Sequence, residues 1–331
     1  MPTKDELRLL QALPLDIKVK KTEQRIREWV NYFGVDGVFV SVSGKDSTVL
    51  RYIARRLFPE IRSCFCNTGL EYPEIQKFWR AQENVDIIRP AISFKDVLSL
   101  YGYPIIGKDV SLAIRYARKG SDWAIKDFEG LNHDGSESPF KAGMYKKYKP
   151  LVNADFQISD QCCGIMKEQP LYDYTKTTQR KAIIGTTAEE SKRRENSWLK
   201  TGCNAFDSDH PTSKPLSFWR EQDVLQFIAE NNVEIPSVYG KVICENGIYR
   251  TTGCDRTGCM FCMFGAHCRD DDRFLRLKET HPVQYNYCMG GGSYDGGVWK
   301  PTKEGLGMRH VIEELHKLYG KDFIKISEEQ K

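Results

Sequence analysis

At 331 residues and 40% hydrophobic content, the chain has enough apolar material to bury one large core or two smaller ones, which excludes an intrinsically disordered protein. Its formal net charge of +4 suits a polyanionic small molecule as well as nucleic acid and selects neither. No stretch is apolar for the length of a membrane span, and Met1 to Glu6 lack a charged-then-apolar leader, so a cytoplasmic setting with no membrane partner is expected.

Ile26, Trp29, Val30 and Phe33 recur at helical spacing and predict an amphipathic helix over about 15–34. The β-branched run Gly37 to Val42 predicts a strand that breaks into a solvent-facing loop, Ser43-Gly44-Lys45-Asp46-Ser47, and resumes as a helix from Thr48 to Leu57. The pattern repeats with a strand from Ile61 to Cys66, an exit loop Asn67-Thr68-Gly69, and a helix from Pro73 to Glu83 with proline in its first turn. Further strands are expected at Asp86–Arg89 and Lys181–Ile184. Strands alternating with helices predict an α/β fold: a parallel sheet covered on both faces, with ligands at the carboxyl ends of the strands, where these polar loops lie.

From Gly107 to Pro150 the character changes. Lys108, Arg115, Arg118, Lys119, Lys141, Lys146, Lys147 and Lys149 interleave with Tyr116, Trp123, Phe140, Tyr145 and Tyr148, as in an insertion or a basic lid. Such a stretch fits a grip on single-stranded nucleic acid and equally a solvated cover over an anionic substrate. A helix is expected over Ser217–Asn231, with Glu221 and Asp223 in its first turn, where carboxylates favour the dipole. Gly290-Gly291-Gly292 and Gly296-Gly297 predict a mobile loop.

Small residues directly after a buried strand let backbone N–H groups approach an anion, and the following helix aims its positive end at the same place. Ser43, Gly44, Ser47 and Thr48 supply that surface. Lys45 adds a full positive charge, and Asp46 could accept from loop N–H groups or hold Mg2+.

The eleven cysteines of a cytosolic chain would stay reduced, so clustered ones read as metal ligands or reactive thiols. Cys162-Cys163 and Cys254-x4-Cys259-x2-Cys262 are such clusters, since C-x2-C spacing lets a tight turn aim two sulfurs at one metal centre. Cys254, Cys259, Cys262 and Cys268 could instead form a local zinc site, which leaves the tandem pair unexplained. Cys64, Cys66 and Cys244 are expected to be plain buried small side chains.

Val38 to Leu50, Asn67 to Glu74, Ile184-Gly185-Thr186-Thr187-Ala188-Glu189-Glu190-Ser191, and Lys214 to Trp219 with Asp223-Val224 occur in an order that resembles the phosphoadenosine phosphosulfate (PAPS) reductase family. That family is a branch of the adenine nucleotide alpha hydrolases, the PP-loop or N-type ATP pyrophosphatases. The resemblance covers roughly residues 35 to 265 and implies a five-stranded parallel sheet with helices on both faces and a modified phosphate loop at its carboxyl edge. It implies an N-terminal helical segment (1–34), a PP-loop nucleotide-binding domain (35–240, with the basic stretch at 107–150), and a cysteine-rich cluster-binding and C-terminal part (241–331).

By the same resemblance, Ser43, Gly44, Lys45, Asp46, Ser47, Thr48, Asn67, Thr68, Gly69 and Gly185 would bind ATP or a sulfonucleotide, PAPS or adenylyl sulfate (APS). Cys162, Cys163, Cys259 and Cys262 would hold a [4Fe-4S] cluster, with Lys167 one helical turn beyond the pair facing the cluster or the substrate anion. The chain departs from the family pattern in Val42-Ser43 of the loop and in Thr186 or Thr187, where an arginine is common and for which Lys192, Arg193 or Arg194 could substitute. Residues 324–331 hold no cysteine, whereas the family's reductases attack sulfur with a tail thiolate. Cys203 and then Cys288 are the candidate replacements, Cys203 activated by the run Lys192-Arg193-Arg194.

The implied function is a sulfonucleotide reductase-like oxidoreductase of sulfur metabolism, with a thioredoxin-like dithiol as donor. One alternative is an ATP-dependent sulfur transferase that releases AMP and pyrophosphate and acts on nucleic acid. The other is a non-enzymatic nucleotide-binding subunit of a regulatory or defence complex.

Overall fold

The computed structural model describes residues 2–326. The tail reading therefore falls largely outside the described residues, of which only 324–326 belong to it.

The chain opens with α1 (Lys4–Gln11) and α2 (Leu15–Phe33), followed by β1 (Val38–Val42), α3 (Lys45–Leu57), β2 (Arg62–Cys66), α4 (Pro73–Ala81) and β3 (Val85–Ile88). Next come α5 (Phe94–Leu100), β4 (Ile105–Ile106), α6 (Lys108–Ala117), α7 (Asp122–Glu129) and α8 (Pro139–Tyr145). After a short π-helical turn at Gly164–Glu168 stand α9 (Gln169–Thr178), β5 (Lys181–Ile184), α10 (Lys192–Thr201), β6 (Asn204–Ala205), β7 (Thr212–Ser213) and α11 (Glu221–Asn231). A hairpin of β8 (Val242–Glu245) and β9 (Ile248–Thr251) leads to β10 (Met263–Phe264), α12 (Arg273–Thr280), α13 (Pro282–Met289), β11 (Ser293–Asp295), β12 (Val298–Lys300) and α14 (Met308–Tyr319).

These elements pack as two compact units: residues 2–67, 71–90 and 169–258 in one, and 68–70, 91–168 and 259–326 in the other. The division of the chain at 34, 240 and 241 is not the one by which it packs, because residues 91–168 share their unit with 259–326.

The first unit holds a six-stranded sheet in the order β3-β2-β1-β5-β7-β6. Five strands are parallel, and β6 closes one edge antiparallel to β7, a short strand beyond the five expected. Val38, Phe39 and Val40 of β1 are buried, as expected for a strand covered on both faces. Helix α3 packs on β1 and contacts α2 and α11. Inside this unit Lys18 is buried and ion-paired to Asp223 at 2.5 Å, and the Trp219 indole donates to Thr22 Oγ1 at 2.9 Å, which ties α2 to the segment before α11 and to α11 itself. The chain leaves β1 toward β2 on one side and, much later, places β5 on its other side. That reversal makes the carboxyl ends of β1 and β5 the crevice where open α/β sheets take ligands.

The second unit is mainly helical. The basic stretch contributes to its core: Val110, Ala113, Ile114, Ala124, Phe128 and Tyr148 are buried. Its cations are largely spent within the unit. Arg118 donates to the carbonyl oxygens of Leu151, Val152, Ala154 and Phe156 at 2.8–3.1 Å, Arg115 pairs with Asp160 at 2.8 Å, and Lys141 pairs with Asp127 at 2.6 Å. Gly290-Gly291-Gly292 is the connection from α13 to β11, packed closely against Gly305, Gly307 and Trp299. Gly296 and Gly297, with φ of 59° and 78°, make the two-residue turn of the β11–β12 hairpin, and a Cβ on Gly292 would stand 2.3 Å from the Trp299 ring.

Candidate nucleotide and thiolate sites

Helix α3 starts three residues earlier than its hydrophobic periodicity predicts, because Lys45, Asp46 and Ser47 form its first turn behind Gly44 as the N-cap. The head of the helix is self-supporting. Ser47 Oγ accepts from the Ser43 N–H at 2.8 Å and donates to the Gly44 carbonyl at 2.8 Å, while the Trp79 indole donates to the Ser43 carbonyl at 2.6 Å.

Lys45 and Asp46 do not face solvent as the loop reading predicts. Lys45 is 5% exposed; its Nζ pairs with Glu221 at 3.1 Å and donates to the Asp255 carbonyl at 2.7 Å. Its backbone N–H donates to the Tyr239 hydroxyl at 3.2 Å, which in turn meets Thr257 Oγ1 at 2.9 Å. Burial pushes the Tyr239 hydroxyl up to about 12, so it stays protonated. Glu221, Tyr239, Asp255 and Thr257 carry no motif recognisable in the sequence, and only the fold brings them to the loop.

Burial raises the Asp46 carboxyl, with Lys45, Arg256 and Arg194 opposing that shift and Glu221 reinforcing it. Burial lowers the Arg194 guanidinium, which Asp46 supports and Arg256 disfavours. Burial and the Arg194 charge lower Lys214, whose Nζ donates to Ser197 Oγ at 2.7 Å. Arg194 also pairs with Glu190 on the preceding turn. Lys45, Arg194 and Arg256 thus all act on Asp46, and Arg194 is opposed by the charge of Arg256 and itself opposes that of Lys214. Arg194 stands within electrostatic reach of the loop, as a substitute for the missing arginine would need to.

Gly185, at the exit of β5, lies flush against the loop. A Cβ there would come within 2.8 Å of Ser47 Cα and 3.0 Å of Ser47 N, both backbone atoms that cannot swing aside. Gly185→Ala is expected to displace the head of α3, lowering stability by about 1–3 kcal/mol, the usual cost of overpacking. Thermal denaturation and ATP titration of the same variant would show both losses, and an unchanged midpoint with unchanged affinity would mean that the contact is slack.

Asn67 is buried in the sheet unit, where its N–H donates to the Ile88 carbonyl at 2.9 Å. Thr68 and Gly69 pack in the second unit, where the Leu70 carbonyl accepts from the Met260 N–H at 2.8 Å. Gly69 has φ of 77°, which accounts for glycine at that position.

The second unit also holds Cys162, Cys163, Cys259 and Cys262. Burial, followed by the charges of Cys163, Cys259 and Cys262, pushes the Cys162 thiol up, and Lys167 opposes the shift. Burial raises Cys262 too, against a hydrogen bond from the Phe264 N–H and the charges of Arg273 and Lys167. Lys167 rides on the π-helical turn that follows the tandem pair, a distortion frequent at functional sites. Arg273 is clamped by Asp271 and donates to the Cys262 and Phe264 carbonyls at 2.8 and 3.0 Å. The loop is braced by β10 beside β4, where Ile106 adopts φ of 61°, a strained value for a β-branched residue.

Among the described residues, no three His, Cys, Asp or Glu side chains converge as the donors of a single ion would. Cys254 packs in the first unit, where its charge bears on Tyr239, and Cys268 is exposed. The four thiols brought under mutual influence are the tandem pair and the C-x2-C.

Residues 130–263 match the family model of the phosphoadenosine phosphosulfate reductase domain. Over those residues the chain is similar to that domain. The matched residues include Cys162, Cys163, Gly185, Lys214, Cys259 and Cys262 and stop short of the loop at Ser43–Thr48. An uncharacterized protein of Methanocaldococcus jannaschii is 22% identical over 247 residues, which are 73% of this chain and 44% of that protein, so the chain spans less than half the length of the curated relative it matches. The crystal structure of PAPS reductase from Candida auris, a phosphate complex, aligns with 72% of this chain and 91% of its own at 14% identity and a TM-score of 0.38.

The thiols proposed as nucleophiles are less favourably placed than their sequence neighbours imply. Cys203 feels Arg25 and Lys21 of α2, and not the run Lys192-Arg193-Arg194 within its four leading charge and hydrogen-bond influences; burial outweighs them and raises its pKa. Cys288 is fully buried against the Met308 sulfur, and burial raises it as well. Of the three cysteines expected to be buried, Cys64 is, Cys66 is half-buried and Cys244 is exposed in the β8–β9 hairpin. Among the described residues no helix is long and apolar enough to cross a membrane.

Proposed function

We propose that this PAPS reductase-like chain binds the phosphate or sulfate chain of an adenine nucleotide at the head of α3 and acts on it in sulfur metabolism. The observation that carries this reading is the concentration of positive charge at the β1–β5 switch point, where Lys45, Arg194 and Arg256 act on Asp46 and Arg194 is set against both Arg256 and Lys214. Clustered, partly buried cations cost free energy in the absence of an anion, and a polyanionic ligand offsets that cost. Ser43, Gly44, Ser47, Thr48 and Gly185 would shape the cradle, and Asp46 would supply a ligand to Mg2+.

Cys162, Cys163, Cys259 and Cys262 would be the donor set of a [4Fe-4S] cluster, supported by four soft thiols in one unit with the charges of Lys167 and Arg273 and the Phe264 N–H acting on them. Such a cluster would set the local electrostatic field. Lys167 would add positive charge beside the thiolates.

In the reductase reading, a protein thiolate attacks the sulfur of the sulfonucleotide, the sulfur–oxygen bond breaks, and the adenine nucleotide leaves. An external dithiol then attacks the enzyme thiosulfonate, becomes a disulfide and releases sulfite. The raised thiol pKa of half-buried Cys203 and of buried Cys288 favours a second reading, in which ATP is cleaved to AMP and pyrophosphate to activate an acceptor without a described protein thiolate. Anaerobically purified protein, offered PAPS or APS with a dithiol and separately ATP with Mg2+, distinguishes them by sulfite or pyrophosphate release. Failure to bind any of these nucleotides would overturn both.

A further inference from the structure

Beside α1, α2 and α10 of the first unit lies a cavity of about 690 Å3. Its volume falls within the roughly 300–1,000 Å3 typical of small-molecule sites. None of the loop cations lines it. Leu10, Phe206 and Phe218 give it an apolar wall, and Trp198 and Cys203 supply polar atoms.

Two features of the lining point to a ligand. The first is Trp198, 4% exposed, whose Nε1 finds no hydrogen-bond partner of normal geometry among the described residues. Among those residues the only group acting with it is the weakly accepting Cys203 sulfur, and both residues line the cavity. A buried indole N–H normally finds an acceptor, and leaving one unmet costs about 1–3 kcal/mol.

The second is the charge around the cavity. Glu6 is occupied in the capping box of α1, accepting from Thr3. Arg25 is held by Glu28 at 2.7 and 3.0 Å, and Glu28 also accepts from Asn204. Lys21 lines the same cavity, its charge reaches Cys203, and no carboxylate pairs with it among the described residues. The two cations and two carboxylates of the lining balance in number, but Lys21 is the lining cation with no ion-pair partner among the described residues, and it stands beside an apolar, aromatic wall.

We propose that this cavity binds a small organic monoanion with a flat apolar body, of the aryl carboxylate class. The body lies against Phe206, Phe218 and Leu10, and the carboxylate accepts from the Trp198 N–H and pairs with Lys21. The proposal does not depend on the nucleotide reading, because the two sets of residues are separate.

2-Naphthoate is the probe. Calorimetry on the full chain is expected to give one site, and Trp198→Phe and Lys21→Gln are each expected to weaken binding by about tenfold, the effect of losing one charge-assisted contact. The neutral analogue 2-naphthylmethanol should bind about tenfold more weakly. Saturating naphthoate should slow maleimide labelling of Cys203, located by mass spectrometry, and should leave ATP affinity unchanged. If Trp198→Phe lowers the melting temperature sharply, Lys21→Gln and Cys203 protection decide alone. Absence of saturable binding, equal affinity for the neutral analogue, or unaltered Cys203 labelling would overturn the proposal.

Discussion

Replacing Arg194 and Lys214 together by alanine is expected to weaken ATP and sulfonucleotide binding by at least about a hundredfold while leaving the ligand-free protein as stable as before or slightly more so. Each charge-assisted contact to a phosphate or sulfate oxygen is worth about 1.5–3 kcal/mol, and two neighbouring contacts need not add fully. The unliganded stability moves the other way because the two cations repel each other and burial already disfavours both. What the pair gives up in return is modest: the Arg194–Glu190 ion pair and the hydrogen bond from Lys214 to Ser197. Opposed signs in calorimetric affinity and thermal midpoint separate a ligand site from a structural one. If the midpoint falls and affinity holds, the cluster is scaffold and the anion binds elsewhere.

Much of this arrangement is legible in the sequence. β-Branched runs at Val38–Val42 and Lys181–Ile184 mark two central strands, and small residues after the first mark the helix head. Burial of a strand on both faces leaves a continuous apolar signature that needs no tertiary information. What stays hidden depends on contacts between distant segments. The periodic pattern of α3 gives no sign that Lys45, Asp46 and Ser47 are already helical, since polar residues in a first turn look like loop. Tyr239 on the Lys45 N–H and Glu221 on Nζ join residues far apart in sequence, and neither belongs to a motif. The basic stretch misleads for the same reason: Arg118 reads as a phosphate contact until four carbonyl oxygens are found around it. The cysteines are the opposite case, because their spacing already narrows the candidate ligand sets, and packing then places Cys254 and Cys259 in different units.

Anaerobically purified protein is expected to be brown and to carry roughly four irons per chain, and single alanine substitutions should sort the cysteines into two classes. Cys162→Ala, Cys163→Ala, Cys259→Ala and Cys262→Ala should each lose most of the iron and acid-labile sulfide, because a cluster short of one thiolate is exposed to solvent and oxidant. Cys254→Ala and Cys268→Ala should retain it: the thiols whose charges bear on Cys162 are Cys163, Cys259 and Cys262. Lys167→Met offers an intermediate test. Its charge favours the thiolate forms of Cys162 and Cys262, so its loss should leave the iron in place in anaerobic protein and hasten bleaching in air, read as the decay of visible absorbance. Zinc at one equivalent without sulfide, lost on Cys254→Ala and kept on Cys162→Ala, would instead identify the local cysteine loop as the metal site. The tandem pair would then be left as part of the core around Met166.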